Sequence, residues 1–395
     1  MKVIYFNTLY YPNIVGGAEK SLQLLAEKLI KYDVEPIIVT TYKEDKIDYI
    51  NGVKVYYLHH RNLYWINDSL PSTSSVNKAI WNAKDIYNKD MYKKVEEIIK
   101  LEKPDVIHSN NLKGFSTVPW NIAKKNKIPV IHTLRDFSLM CPKSTMFQDG
   151  INCEKRCSTC TIFTEYKRIA SNKYVDMVVG NSNFMVEKHK KLGYFKEVQG
   201  KRIFNGTPIL SENIISDKKV EESKVKFFYM GRIEETKGVN LLLDTFKDIN
   251  GVELVLAGRV YDDKIEENIK KGRYPEHIKF IGYANPSEIL PEIDVLIAPS
   301  LWHEPLPRVI LEAYSYGKFV IGSNRGGIPE CIKEGITGYI FDPDIKNSLK
   351  SAIDKVLQNK EYSHNKGEIL SYINEFDIEK SVNQYYEAYK SIMNG

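Results

Sequence analysis

Short apolar runs alternate with amphipathic stretches from one end of the chain to the other. Residues 2–6 read as a buried strand, and Gly16-Gly17 interrupts the chain beyond it. Across residues 18–30, Leu22, Leu25, Ala26 and Leu29 recur at helical spacing, which predicts an amphipathic helix. Strand-like runs follow at 36–40, 53–58, 105–108 and 130–133, with helical stretches such as 92–101 separating several of them. The pattern starts afresh near Lys226, with strands at 227–230, 253–257, 280–281, 295–298 and 319–322 and a helix at 238–246. Strands interleaved with helices imply parallel sheets built from right-handed crossovers. The expectation is an α/β chain of two doubly wound domains.

Residues 204–225 carry Asn205-Gly206-Thr207-Pro208 and then a polar, charged run, the composition of a linker. In the closing stretch 378–393, Val382, Tyr385, Tyr386, Tyr389 and Ile392 recur at helical spacing. That helix is expected to pack back across the first domain. The division is therefore residues 1–204 plus the closing helix 376–395, and residues 205–375. Ligands of such sheets bind beyond the carboxyl ends of the strands, so the residues there must decide the function.

Composition narrows the picture a little. A chain of 395 residues accommodates two domains of about 200, each with its own core. The formal charge of +5 is small for that length. It gives no reason to expect nucleic acid, and it suits anionic small molecules or loose contact with an anionic membrane surface. The start, Met1-Lys2-Val3-Ile4-Tyr5-Phe6-Asn7, holds too short an apolar run for a signal peptide, and no stretch nears the roughly 18 apolar residues of a spanning helix. A cytoplasmic protein is expected, with its five cysteines as thiols or metal ligands.

The strongest chemical signal is the run from Pro299 to Ala313, in which a strand ends near Ala298, a loop carries His303 and Glu304, and a helix begins near Pro307. Proline is favoured at the first helical position. A helix start offers unpaired N–H groups and a positive dipole end to an anion. Glu312 lies more than a turn further in, within reach of a ligand along that end. Two acids beside a phosphate site make sense as grips on sugar or ribose hydroxyls; two glutamates alone read more readily as a solvated loop and a surface ion pair. The second signal is Gly231-Arg232 followed by Lys237-Gly238, after a strand and before a helix. Two fixed cations beside a diphosphate stabilise the charge that develops as a sugar leaves. In isolation it is equally a solvated basic loop. The third is Gly16-Gly17-Ala18-Glu19, where paired glycines let backbone approach a ligand at a helix start.

These motifs resemble those of the family-four retaining glycosyltransferases of GT-B fold, over essentially the whole chain. Glu304 and Glu312, seven residues apart and followed by Ala313, match the family's paired glutamates; Gly326-Gly327-Ile328-Pro329-Glu330 and Gly335-Ile336-Thr337-Gly338-Tyr339 are similar to its next signatures. The resemblance implies two Rossmann-like domains facing a cleft, with a nucleotide-sugar donor on the C-terminal one. It implies Arg232 and Lys237 at the diphosphate, Glu304 at the donor sugar and Glu312 at the ribose. Gly16, Gly17, Gly231, His303, Leu306, Arg308 and Val309 complete the donor side. Pro307 stands where many relatives have glycine, which removes one possible N–H donor. The family's cleft histidine falls at Arg135, which becomes a catalytic candidate able to meet a phosphate or an acidic substituent. Glu19, His108, His132 and Asp136 are candidates on the acceptor side, although histidines ending strands are usually core and Asp136 reads as orienting a neighbour. Tyr10, Tyr11, Tyr64, Trp65, Trp81 and Trp120 are able to stack on sugars, though aromatics are more often core.

Cys141, Cys153, Cys157 and Cys160 lie within twenty residues. Four thiolates can close a structural zinc site, and the final C-x-x-C suits one knuckle; the long first gap does not suit a standard finger. Cys331 reads as a core thiol on a helix. No Asp-x-Asp follows a strand in the second domain, so no catalytic metal is expected. The reading is a retaining transferase moving a sugar from a nucleotide diphosphate to a glycan or lipid-linked acceptor, with peripheral contact at the inner membrane. The alternatives are an epimerase or phosphorylase of the same fold, which the paired glutamates and the chain's size disfavour, and a noncatalytic nucleotide-sugar binder.

Overall fold

The computed structural model describes residues 1–68, 73–210 and 224–394. Most of the expected linker, residues 211–223, falls outside the described residues. The chain divides into two compact units. The first comprises residues 1–146, 153–206 and 378–395, and the second residues 147–152 and 207–377.

In the first unit the strands are β1 (Lys2–Asn7), β2 (Glu35–Tyr42), β3 (Lys46–Ile50), β4 (Val53–His59), β5 (Val106–Ser109) and β6 (Val130–Leu134). A small hairpin follows, β7 (Phe147–Gln148) and β8 (Ile151–Asn152), and then β9 (Met177–Gly180) and β10 (Gln199–Arg202). The eight-stranded sheet runs β10-β9-β6-β5-β1-β2-β4-β3. All its pairs are parallel except β3 with β4, which is a solvent-facing antiparallel edge. Val3, Ile4, Tyr5 and Phe6 are fully buried, as in a strand covered on both faces. The closing helix Ile378–Met393 belongs to this unit, and Val382, Tyr385 and Tyr389 join the core formed by β1, β2, β4 and the helix Gly17–Leu29.

The second unit contains β11 (Val225–Met230), β12 (Val252–Ala257), β13 (Ile278–Phe280), β14 (Val295–Ala298), β15 (Phe319–Ser323) and β16 (Gly338–Phe341). Its order, β13-β12-β11-β14-β15-β16, is the parallel doubly wound arrangement, with the direction of winding reversing between β11 and β14. That reversal leaves a crevice beyond the carboxyl ends of β11 and β14. In the first unit the equivalent reversal lies between β1 and β5.

Several boundaries differ from the sequence expectation. The helix expected to begin near Pro307 begins at Arg308, and Pro307 is its extended cap with ψ 115°. Cys331 is fully buried but sits in a short 3-10 turn, Pro329–Cys331, not in a helix. The hairpin, β9, β10, β16 and the helix Ser158–Tyr174 were not anticipated.

Candidate active site

The loop after β14 carries Glu304 and is held from several directions within the second unit. Thr236 O accepts from the N–H of Leu301 at 2.9 Å and of Trp302 at 3.3 Å. Gly238 adopts φ +73°, and a Cβ there would come within 1.9 Å of Pro299 O, so the turn after Lys237 requires glycine to lie against this loop. Gly326 does the same on the other side. It has φ +59°, a Cβ would meet Glu304 O at 2.0 Å, and Gly327 N–H donates to that carbonyl at 2.7 Å. The glycine pair that resembles a family signature is thus the seat of the Glu304 backbone. Ser323 Oγ donates to Ser300 O at 2.7 Å and Arg325 Nε to Leu301 O at 3.2 Å.

Within that frame Glu304 is 7% exposed. Its Oε1 accepts from Lys237 Nζ, from Ser300 Oγ at 2.8 Å and from Trp302 Nε1 at 3.3 Å. Burial works to raise the carboxyl, but the Lys237 charge and these donated bonds outweigh it and hold the group below the usual carboxylate range. Glu304 is an ionised acid fixed at the winding reversal. Arg232 follows β11 on the other strand of that crevice. Its guanidinium is about half exposed and pairs with Glu234 at 3.0 Å, while Tyr229 OH donates to Arg232 O at 2.6 Å. Gly231 N–H continues the strand pairing to Ala257 O at 3.0 Å. The helix Arg308–Ser315 starts beyond Leu306 and Pro307, with Val309 in its first turn. Arg308 Nε lies 3.6 Å from Glu312 Oε1 one turn on. His303 accepts Gly326 N–H on Nδ1 at 3.1 Å, which assigns the proton of a neutral ring to Nε2. The predicted donor-side residues of the C-terminal half therefore sit on two neighbouring loops and one helix start.

The first unit treats its candidates differently. Gly16 caps the helix Gly17–Leu29, and Glu19 turns back to accept Gly16 N–H at 2.9 Å. Burial pushes the Glu19 carboxyl up. Arg135, after β6, donates from Nε to Asn110 Oδ1 at 2.8 Å and from Nη1 to Asn205 Oδ1 at 2.6 Å. Asp136 accepts from Asn111 Nδ2 at 2.5 Å and Ser138 N–H at 2.7 Å, so it orients its neighbours.

His108 and His132 are corrected from acceptor-side candidates to core histidines. His108 is fully buried, with Nδ1 at 2.8 Å from Tyr389 OH and Nε2 at 2.7 Å from Thr133 Oγ1. His132 is 2% exposed, pairs with Ser109 Oγ at 2.8 Å and meets Trp120 edge to face. Burial drives the His108 ring well below its usual value and the His132 ring down to about 3. Tyr10, Trp65, Trp81 and Trp120 are likewise buried, leaving Tyr11 exposed and Tyr64 partly so.

Comparison with known proteins agrees with this fold. The family model Glycosyltransferase Family 4 matches residues 15–208, and Glycosyl transferases group 1 matches residues 211–369. This chain belongs to glycosyltransferase family 4. A Klebsiella pneumoniae relative, an uncharacterized 42.6 kDa protein in the cps region, is 32% identical to the glycosyltransferase over 99% of this chain and all of that one. The lipopolysaccharide 1,2-N-acetylglucosaminetransferase of Salmonella typhimurium is 29% identical over 38% of this chain and 44% of its own length. Among solved structures, sucrose-phosphate synthase from Thermosynechococcus elongatus superposes with a TM-score of 0.75 at 16% identity, covering 100% of this chain and 99% of that one. Anabaena HepE in complex with UDP-glucose superposes at 0.73 and 18%, covering 99% and 100%. Both show the two-domain GT-B fold.

Three groups in the glycosyltransferase escaped the sequence reading. Asn110 and Asn181, after β5 and β9, are each 2% exposed, and Asn110 Nδ2 and Asn181 Oδ1 have no hydrogen-bond partner among the described residues. They flank Arg135 on the polar carboxyl edge of the first sheet. Asparagine after a strand is too common a turn residue to stand out in one sequence. The hairpin β7–β8 had a usable signal, because Asp149-Gly150 between two short β runs favours a two-residue turn with positive φ at both positions; the structure has +52° and +78°. The cysteines follow on both sides of it. The Cys160 thiol hydrogen-bonds with Cys141 and draws the latter down to about 6, and Cys157 Sγ accepts Cys160 N–H at 3.5 Å. As they stand the four do not form a tetrahedral set: among the described residues no group of three or more His, Cys, Asp or Glu is arranged to hold a metal ion.

Proposed function

We propose that the glycosyltransferase uses a nucleotide-diphosphate sugar as donor and retains its anomeric configuration, acting on a glycan or lipid-linked acceptor in cell-surface polysaccharide synthesis. The observation that carries the donor assignment is the ionised, buried Glu304, held after β14 by Lys237, Ser300 and Trp302, with the exposed guanidinium of Arg232 following β11, the neighbouring strand at the winding reversal. A diphosphate arriving there meets the Arg232 and Lys237 cations and the start of the helix Arg308–Ser315. These groups neutralise the charge left on the diphosphate as the glycosidic bond breaks. Glu304 faces the sugar hydroxyls and Glu312 the ribose. HepE is seen in complex with UDP, and with UDP and glucose, which supports a nucleotide-sugar donor on this fold. The cps-region and lipopolysaccharide relatives support a cell-surface glycan as product.

Retention follows by same-face attack, with the leaving phosphate taking the acceptor proton. Arg135, in the family's histidine position, then meets a phosphate or an acidic substituent of a substrate. No metal is needed for the charge to be balanced, so activity should survive chelation. The protein works in the cytoplasm and touches the inner membrane face peripherally; no helix among the described residues is long and apolar enough to cross a membrane. A structural zinc would have to draw the four cysteines into another arrangement, and metal analysis of the purified protein decides it.

The test is a panel of nucleotide-diphosphate sugars, read by thermal shift and then by transfer to glycan or lipid-linked acceptors with chelator present. The expected result is one donor that raises the Tm and is consumed only with acceptor, the product keeping the donor's anomeric configuration by NMR. Binding with no transfer or hydrolysis in any mixture would favour the noncatalytic binder, and an inverted product would overturn retention.

A further inference from the structure

The hairpin β7–β8 lies within the sequence span of the first unit yet is counted with the second. Its last residue, Asn152, is partly buried, and its carboxamide grips the Glu304 loop twice. Nδ2 donates to Leu301 O at 2.7 Å, and Oδ1 accepts His303 N–H at 2.9 Å. Leu301 and His303 are two apart, and the one carboxamide ties the carbonyl of the first to the N–H of the second, fixing the bend between them. Asparagine suits this task because it carries donor and acceptor on one short, planar group; aspartate has no donor and alanine has neither. The hairpin itself is built to be stiff. Asp149-Gly150 closes it tightly, Cys153 N–H bonds Met146 O at 2.7 Å across its base, and Phe147 is 7% exposed.

We infer that Asn152 is a positioning residue for this transferase, fixing the 301–303 backbone so that Glu304 is presented to Lys237 and the donor. The inference rests on the reading of Glu304 as a donor-side group. It also gives the cysteine-bracketed insertion a task, which is to deliver one carboxamide to that loop. The other supports of the loop, Thr236, Ser323, Arg325 and Gly327, all act on its backbone from the second unit's own strand ends. Asn152 alone among these reaches it from a segment inserted before β9.

The experiment compares Asn152→Ala and Asn152→Asp with the wild-type full-length chain by amide hydrogen exchange of the peptide spanning 300–304, by Tm, and by donor kinetics. The Ala variant should exchange that peptide about tenfold faster, with Tm within a few degrees of wild type. Its kcat should fall about tenfold or more while the donor KM changes much less, as expected when a reacting group is misplaced but its ligand still binds. Asp, which keeps the His303 contact, should fall between. Should Ala fail to fold, the Asp variant carries the same comparison. Unchanged exchange at 300–304 in both variants would overturn the inference, as would a fall in Tm that alone accounts for the lost activity. The exchange measurement needs no substrate, so it reads the clamp even if no donor in the panel is turned over.

Discussion

The two units wind their sheets by the same rule, yet they furnish the carboxyl edges in opposite ways. At the second unit's edge the functional groups are ions: Arg232 with Glu234, Lys237 with Glu304, and Arg308 with Glu312. At the first unit's edge one guanidinium, Arg135, is held by the carboxamides of Asn110 and Asn205, the one carboxylate beside it, Asp136, is held by Asn111, and Asn181 extends the row of carboxamides. The histidines sharpen the contrast. The three buried ones, His108, His132 and His189, all belong to the first unit. On the proposed function, the paired ions of the second edge stand where a diphosphate would be balanced, while the first edge offers mainly carboxamides around a single guanidinium. A shared architecture therefore says where to look in each unit, and only the side chains say what is bound.

The comparison breaks most visibly at Lys237. Lys237→Ala should lower kcat by about 10² to 10³, in the range of losing one preorganised electrostatic contact, while Arg135→Ala should cost about tenfold. Steady-state kinetics with the donor found by the panel check this, and equal losses would erase the distinction between the edges. Gly326→Ala comes next. Its new Cβ would collide with Glu304 O in a left-handed backbone, so urea denaturation should show a loss of about 3 kcal/mol, with transferase activity falling alongside.

Acid should separate the units by about as much. The His132 ring titrates near 3 in the folded first unit against 6.5 when exposed, so the unfolded chain binds the proton first as pH drops. The stability this neutral ring provides is complete above pH 6.5 and is lost progressively between 6.5 and 3. At pH 5 the loss from His132 alone is about 2 kcal/mol. Urea titrations at pH 7.5 and pH 5, followed by tryptophan fluorescence, should show the transition reporting on Trp65, Trp81 and Trp120 moving to lower urea, and His132→Phe should blunt the shift. The smallest effect is expected at Tyr389→Phe, which removes the hydroxyl shared by Tyr5 and His108 and should cost about 1 kcal/mol by the same denaturation assay.

Much of this was readable from the sequence because parallel strands buried on both faces leave continuous apolar runs, as at residues 2–6 and 295–298. The closing helix was readable for a similar reason, since Val382, Tyr385 and Tyr389 mark one face over several turns. Glu304 and Arg232 stood out because each follows a strand and precedes a helix in a composition that resembles known relatives. The roles of His108 and Gly326 were not readable. His108 is satisfied by Tyr389, 281 residues away, and Gly326 is glycine because of Glu304, 22 residues earlier, contacts that only tertiary structure reveals. Asp149-Gly150 signals the hairpin in the sequence, but the task of Asn152 lies in contacts with Leu301 and His303, 149 and 151 residues away, which no local pattern carries.

The return of the helix Ile378–Met393 to the first core has a consequence for how the molecule is made. During synthesis on the ribosome, residues 207–377 emerge and can finish folding while the first sheet still waits for Val382, Tyr385 and Tyr389. The half that begins translation is thus the half completed later, and a nascent chain arrested before residue 378 should expose an unsealed apolar face to chaperones.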